Sequence, residues 1–426
     1  MKDEESVGSP DSILVIGGGI SGITAAVEAA EVGYNVFLIE SNPFLGGRVI
    51  RSNQYFPKLC PPTCGLEINF KRIKANPRLK VFTLAEVEGI SGKEGDYEVT
   101  VKLTPRLVND NCTACNKCVD VCPVERPNDF NLGMDKTKAI YLPHPMAFPM
   151  QYVIDSAVCP GSECAKCVAA CPYDAIDLAM PEQKLNIKVG SVIVATGWKP
   201  YDATKIDNLG FGKYPNVITN VMMERLAAPD GPTHEKIVRP SDGKEISSIA
   251  FVQCAGSRDK NHLPYCSAVC CLGSLKQVTY VKERYPDAKV FIFYMDIRAS
   301  GTLEDFYRRV QSYDGVSLVR GKVAKIGEDP ETKDLIVEVE DTLAGQKVSE
   351  KVEMVVLATG IVPSIAEKGI PIEIDSDDYG FISSEQPGIY TTGCARMPAD
   401  VSTSVQSATA AALKAIQSVV GVEVNG

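Results

Sequence analysis

Residues 12–22 read SILVIGGGISG, a short apolar strand that runs straight into a glycine-rich turn. A helical pattern follows to Gly33, and a second strand, Val36–Ile39, stops at Glu40. The first forty residues therefore spell one βαβ unit. Gly17, Gly19 and Gly22 form GxGxxG at its first turn. Gly17 permits the tight turn, Gly19 lets the backbone approach a pyrophosphate, and Gly22 lets the helix pack closely on the strand. The helix N-terminus attracts the phosphates. Glu40, 18 residues past Gly22 at a strand end, is placed to bind ribose hydroxyls. The bland alternative is a glycine-rich turn with no ligand, and the full βαβ context argues against it.

Outward from this unit the chain repeats its own grammar. Residues 81–102 read as a strand–turn–strand excursion, and SVIVATG (191–197) is a buried strand ending at Gly197. In the second half SSIAFVQ (247–253) is a strand, 267–284 a helix and KVFIFYM (289–295) a strand. A meander follows, and VEMVVLATG (352–360) closes the unit at Gly360. Two such units imply duplicated α/β dinucleotide-binding domains. Residues 105–182, rich in Cys, Pro and Asp, break the repeat and read as an insertion. The expected organisation is 1–104 for the first part of one domain, 105–182 for the insert and 183–200 for a return strand. The second domain takes 201–345, and 346–426 completes the first.

Composition narrows the function. The 426 residues carry 54 Asp plus Glu against 44 Lys plus Arg, a net charge of −10. That balance argues against a nucleic-acid binder. No apolar run approaches the ~18 residues of a spanning helix, so no direct membrane span is expected. The opening MKDEESVGSPD lacks the apolar centre of a secretory signal. Fifteen cysteines, clustered in a long acidic chain, point to metal or redox chemistry rather than a disulfide scaffold.

The run ESNPFLGGR (40–48) resembles two-dinucleotide-binding flavoproteins, as do the ATG at 195–197 and GIYTTGCA at 388–395. The resemblance implies FAD, with Gly47 and Arg48 near the pyrophosphate and Gly197, Gly360 and Gly393 in the terminal motifs. That family usually carries an acid after the last glycine, contacting the ribityl chain. Here the position is Cys394, which leaves the Gly393 backbone for that contact. An ordinary pyridine-nucleotide reductase holds NAD(P)H in the second unit. This one ends its strand FVQCAGSRD, with Cys254 at the first loop glycine's place and only Gly256 left. Backbone approach to a pyrophosphate is hindered there, so a lost or weakened nicotinamide site is expected.

Within the insert, CTACNKCVDVCP (112–123) has the C-x2-C-x2-C-x3-C-P spacing of a bacterial ferredoxin [4Fe–4S] site. A second run places Cys159, Cys164, Cys167 and Cys171 before Pro172. The similarity to two-cluster ferredoxins implies crossed ligation. One cluster then takes Cys112, Cys115, Cys118 and Cys171, and the other Cys159, Cys164, Cys167 and Cys122. Zinc is the alternative, but a zinc site does not use paired runs of this kind. The 36 residues between the runs are expected to form a surface loop.

A third group, Cys254, Cys266, Cys270 and Cys271, lies in QCAGSRDKNHLPYCSAVCC (253–271). Spacing alone leaves a third cluster and buried thiols both open. Adjacent Cys270 and Cys271 cannot point the same way on a helix. The stretch resembles the signature of the heterodisulfide reductase A subunits, a family of FAD and iron–sulfur proteins, in which these four cysteines are taken to hold a [4Fe–4S] cluster near the flavin. The resemblance covers nearly the whole chain, with the motifs in order. It implies an α/β, two-dinucleotide-binding-domain (Rossmann-like) flavoprotein with an inserted two-cluster ferredoxin-like domain.

A compact form of this layout is similar to the A subunits of quinone-interacting membrane-bound oxidoreductases of sulfate reducers. That similarity implies an oxidoreductase subunit relaying electrons between adenylylsulfate (APS) reductase and a menaquinone-linked membrane subunit. It also implies a second flavin/iron–sulfur subunit, a haem- or quinone-linked membrane partner and a cytoplasmic place at the inner face of the membrane. Two other readings stand beside it. One is a soluble NAD(P)H-dependent reductase resembling the glutamate synthase small subunit, against which the degraded second loop argues. The other is a non-catalytic scaffold. Cys60 and Cys64, in FPKLCPPTCG, are expected to be structural or flavin-proximal, with a redox pair or extra ligands as the alternative. His262 is a candidate for tuning the third thiol group, and Arg258 and Arg298 are candidate flavin-side cations. His144 and His234 read as ordinary residues.

Overall fold

The computed structural model describes residues 7–425; residues 1–6, part of the segment read as no secretory signal, lie outside the described residues. Five parallel strands form the first sheet, in the order Ile389–Thr391, Ser191–Val194, Ser12–Ile16, Asn35–Glu40 and Leu79–Thr83. Every residue of Ser12–Ile16 is buried, as a central parallel strand covered on both faces requires. The Ile20–Val32 helix covers one face and ends at Gly33, whose φ of 118° lets its N–H reach back to the last turn. Beside it lies the C-terminal helix Val401–Asn425, with Ala408, Ala411, Ala412 and Ala415 buried in the same core. Small side chains allow that close approach. No helix among the described residues is long and apolar enough to cross a membrane.

A four-stranded sheet of Val7–Gly8, Gln183–Val189, Asp96–Leu103 and Ala85–Lys93 covers the other face. The single strand expected from residue 81 is two strands. Leu84 has φ 55° and breaks the run, so Leu79–Thr83 pairs with Asn35–Glu40 while Ala85 starts the second sheet.

The second unit repeats the plan with strands Val217–Thr219, Met354–Thr359, Ser248–Ala255, Lys289–Tyr294 and Val316–Arg320, all parallel. An antiparallel meander of Val323–Glu328, Leu335–Asp341 and Gln346–Val352 packs on it. The boundary expected at 345/346 therefore falls inside this unit. Gln346–Val352 pairs with Leu335–Asp341, and the fully buried Met354–Thr359 is central to the second sheet. The helix expected over 267–284 spans Cys270–Arg284. Ala268, at φ 61°, keeps the preceding residues out of it.

In the insert, short helices Lys117–Asp120 and Lys166–Ala170 pack together beside two small hairpins. The segment between the cysteine runs is an anchor rather than the expected surface loop. Phe130 and Ala147 enter the core of the first domain, and Phe148 stacks on Phe70 with centroids 5.0 Å apart. Asn131 accepts a hydrogen bond from Arg225 Nε of the second unit (2.8 Å). Buried aromatic and aliphatic groups contribute about 1.5–3 kcal/mol each, so such a segment does not stay solvated.

Candidate functional site

A cavity of about 760 Å³ opens at the carboxyl end of the first sheet, lined by Gly17, Gly19, Glu40, Gly47, Arg48 and Gly197 among others. A side chain on Gly17 would strike Ala195 O at 2.3 Å, and one on Gly22 would strike Gly17 O at 1.8 Å. Those two glycines shape the turn. A Cβ on Gly19 would meet nothing nearer than Gly47 Cα at 3.9 Å, so its bare face looks into the cavity. Gly47, at φ 57°, brings the second glycine loop against it. Two loops of uncovered backbone are thus offered to an extended anionic ligand.

Glu40 is buried and does more than its expected part. Its Oε2 accepts the Gly18 N–H (2.7 Å), and its Oε1 accepts Asn42 N (2.7 Å) and Nδ2 (2.6 Å). The carboxylate fixes the turn and keeps acceptor capacity for hydroxyls. Arg48 stacks on Trp198 at 5.6 Å and donates from Nε to Trp198 O (3.1 Å). Burial, with Arg51 nearby, brings its pKa down to about 10, so it stays cationic at neutral pH. Thr196 Oγ1, in the cavity wall, is buried with no hydrogen-bond partner. An orphaned hydroxyl, a facing glycine pair and a half-buried cation fit a dinucleotide.

Two of the expected glycines sit elsewhere. Gly393 packs under the first helix, where a Cβ would lie 2.2 Å from Ser21 Oγ, and its neighbour Cys394 lines the cavity. Burial holds the Cys394 thiol above its ordinary range, and its Sγ contacts Ala399 O (3.4 Å). Asp400 was not singled out from sequence, yet it lines this cavity and accepts the Thr403 N–H (2.7 Å) at the start of the last helix. An acid just before an apolar helix was the available signal. Gly360 does not line the cavity. A Cβ there would lie 2.3 Å from Ser257 Oγ and 2.7 Å from Ser267 Oγ, so it packs beneath the third cysteine loop.

A second cavity of about 190 Å³ shares Arg48, Trp198 and Asp400 with the first and extends to Leu272 and Lys276 of the Cys270–Arg284 helix. Glu224 in its wall pairs with Lys276 (3.0 Å) and accepts from Gln277 Nε2 (2.7 Å) and Tyr280 OH (3.2 Å). Sequence reasoning missed this network, because its partners lie on separate helices with no motif between them.

The insert gathers its thiols into two small cavities. Cys112, Cys115, Cys118 and Cys171 line one; Cys122, Cys159, Cys164 and Cys167 line the other. Burial pushes Cys118 up to about 12 and raises Cys167 as well. Thiols grouped in this way bind a metal as thiolates and release their protons to solvent as it binds. No three His, Cys, Asp or Glu side chains among the described residues converge closely enough for a single metal ion. The thiols ring openings instead of meeting at a point, which suits a cube with one iron per thiolate.

The third group forms where the second unit departs from a nucleotide loop. The strand Ser248–Ala255 shifts register between Val252 and Ala255, and Cys254 has φ 57°. The loop then closes on itself. Leu263 N donates to Gly256 O (2.8 Å), Arg258 N to Tyr265 O (3.0 Å), and Ile361 N to Ser267 Oγ (2.9 Å). Cys270 and Cys271 diverge at the helix start, with Cys270 Sγ toward Thr359 O (3.6 Å) and Cys271 Sγ toward Asp296 O (3.8 Å). Burial and the neighbouring thiols raise all three of Cys254, Cys270 and Cys271, Cys254 to about 11.

The remaining candidates separate cleanly. Arg258 pairs with Asp296 beside this thiol group, and neither Arg258 nor Arg298 lines the flavin cavity. His262 Nδ1 lies 2.9 Å from Tyr201 OH. His144 is buried against Phe130, and burial brings its pKa down to about 4. His234 sits in a turn at φ 51°. Cys60 is half-buried and Cys64 exposed, and neither lines a cavity described above.

Residues 12–60 match the FAD-dependent oxidoreductase family model. The chain is 40% identical over 427 residues to the first iron–sulfur A subunit of CoB–CoM heterodisulfide reductase from Methanopyrus kandleri, covering 95% of this chain and 63% of that protein. It is 36% identical over 428 residues to the A subunit of the H(2):CoB-CoM heterodisulfide,ferredoxin reductase of Methanothermobacter marburgensis, covering 97% and 64%. The chain is heterodisulfide reductase A-subunit-like. It spans less than two thirds of the length of these relatives. Among solved structures, thioredoxin reductase from T. acidophilum superposes with TM-score 0.53 at 13% identity, covering 97% of this chain and 98% of that one. Lactococcus lactis thioredoxin reductase gives 0.51 at 14% identity, over 96% and 99%. The A-subunit-like chain thus has a two-domain Rossmann-like frame, and its first nucleotide-binding segment matches the FAD-dependent oxidoreductase model. Trp198 is its only tryptophan and lines the first cavity, which fits a dinucleotide. Removing FAD should therefore raise tryptophan emission; unchanged emission in folded, flavin-free protein would place the flavin elsewhere.

Proposed function

We propose that the A-subunit-like chain is an electron-transfer subunit holding FAD and three [4Fe–4S] clusters. The observation that carries this is the pair of cysteine cavities, each lined by three thiols of one run and the fourth of the other. Cys112, Cys115, Cys118 and Cys171 would hold one cluster, Cys122, Cys159, Cys164 and Cys167 the second, and Cys254, Cys266, Cys270 and Cys271 the third. Gly17, Gly19, Glu40, Gly47, Arg48 and Gly197 would hold the flavin. Bound FAD supplies two-electron chemistry that can be divided into single steps, and the clusters carry single electrons. The protein's part is to bind, orient and exclude water. The relatives are named as subunits of heterodisulfide reductases, so partner subunits are part of this reading. Its narrower form is a relay between adenylylsulfate reductase and a menaquinone-linked membrane subunit, supported by the resemblance in motif order.

The NAD(P)H-dependent reductase is the competing reading, and the second loop argues against it. With Cys254 at the glycine position and residues 256–267 closed by their own hydrogen bonds, NADH and NADPH should bleach the flavin of the purified chain poorly. Stopped-flow reduction at turnover-competent rates by either nucleotide would favour the soluble reductase. Subunits that co-purify stably from the native source test the relay itself: a quinone-linked membrane partner is expected, and its absence from an otherwise intact complex counts against the narrower form.

A further inference from the structure

The loop that carries the third thiol group is braced by a charge pair that the flavin site does not use. Arg258 follows Cys254 by four residues and has φ 57°, a left-handed conformation that costs a non-glycine residue strain. Its N–H donates to the carbonyl of Tyr265 (3.0 Å), the residue before Cys266. The backbone of Arg258 is therefore tied to the Cys266 end of the Cys254–Cys266 loop. Its guanidinium pairs with the carboxylate of Asp296, and the backbone oxygen of Asp296 accepts from Cys271 Sγ (3.8 Å). Arg298 Nε lies 3.8 Å from the same carboxylate oxygen, Oδ1. The arginine side chain is about one quarter exposed and the aspartate about half. Cys271, and Cys266 through its neighbour Tyr265, are thus linked by short contacts to one partly exposed ion pair.

We propose that Arg258 is a positioning residue that raises the electron affinity of the cluster held by Cys254, Cys266, Cys270 and Cys271, and that Asp296 opposes it. The inference rests on the three-cluster reading. A cube bound by four thiolates is anionic and becomes more so when it takes an electron. A fixed cation nearby favours the reduced state and a fixed anion disfavours it. Hydrogen bonding and charge outside the ligands are established levers on cluster potentials.

The two partners give the test its discrimination. Arg258→Gln and Asp296→Asn break the same ion pair, so a purely structural brace moves both variants in the same direction. An electrostatic role moves them oppositely. The experiment is an EPR-monitored redox titration of the full chain with its cofactors, with iron and FAD counted on each sample. Arg258→Gln should shift the midpoint of the third cluster to more negative potential, and Asp296→Asn to more positive potential. Arg258→Lys, which keeps the charge, should lie nearest the wild type. It also keeps the comparison usable if Arg258→Gln folds poorly. Iron per FAD and the two ferredoxin-type signals should stay unchanged in all three. Shifts of the same sign, or none, with the third signal present would overturn this inference alone. Absence of a third signal from the wild-type chain would overturn the three-cluster reading and this inference with it.

Discussion

Replacing Cys270 and Cys271 together by serine should remove about four iron atoms per FAD from a total of about twelve, by the arithmetic of four cysteines per cube. Both side chains are buried at the first turn of the Cys270–Arg284 helix. Serine nearly conserves their volume and can still donate toward Thr359 O and Asp296 O, so the helix and the second sheet should persist. A hydroxyl does not replace a thiolate as an iron ligand. FAD content and the signals of the two insert clusters should remain, because those sites share no residue with this one. Flavin reduction should become uncoupled from the partner subunits. Unchanged iron per FAD in the double variant would show the four cysteines to be buried thiols and nothing more.

Gly19→Val should abolish flavin binding in a protein that still folds. The Cβ direction at Gly19 is open, with Gly47 Cα 3.9 Å away as the nearest atom. The new side chain would therefore enter the cavity rather than disturb the turn. Occupancy by FAD should fall on the order of tenfold or more, which corresponds to about 1.4 kcal/mol of binding or greater. Gly22→Ala is the contrasting case. Its Cβ would lie 1.8 Å from Gly17 O, so the helix must lift off the turn and thermal stability should fall with the flavin. The flavin released into an acid supernatant, measured beside a melting curve, separates the two. Near-stoichiometric FAD in well-folded Gly19→Val protein would refute the pyrophosphate assignment.

What could be read from the chain was what is encoded locally. GxGxxG and C-x2-C-x2-C-x3-C-P act through contiguous backbone or through thiols a few residues apart, so spacing carries their geometry. The parallel strands announced themselves by short apolar runs ending in glycine. Reading failed where a role depends on residues brought together by packing. Glu40 looked like a ribose ligand, but its bond to Gly18 N appears only once the second strand lies beside the first. Gly360 shares its ATG with Gly197, yet in the second unit that motif faces Ser257 and Ser267 instead of a cavity. Glu224 and Lys276, or Arg258 and Asp296, have no period that links them. The segment at 123–158 read as loop because its strands are short, although Phe130, Ala147, Ile140, Tyr152 and Ile154 within it are buried.

The sheet that bears the flavin turn takes its strands from widely separated parts of the chain. Its edge strand is Ile389–Thr391, and the cavity wall from Cys394 to Ser404 comes later still. All twelve thiols assigned to iron lie before residue 272. During synthesis from the N-terminus, every one of them leaves the ribosome more than a hundred residues ahead of the wall that closes over the flavin. The thiols are thereby available to iron while the cavity still lacks its last wall.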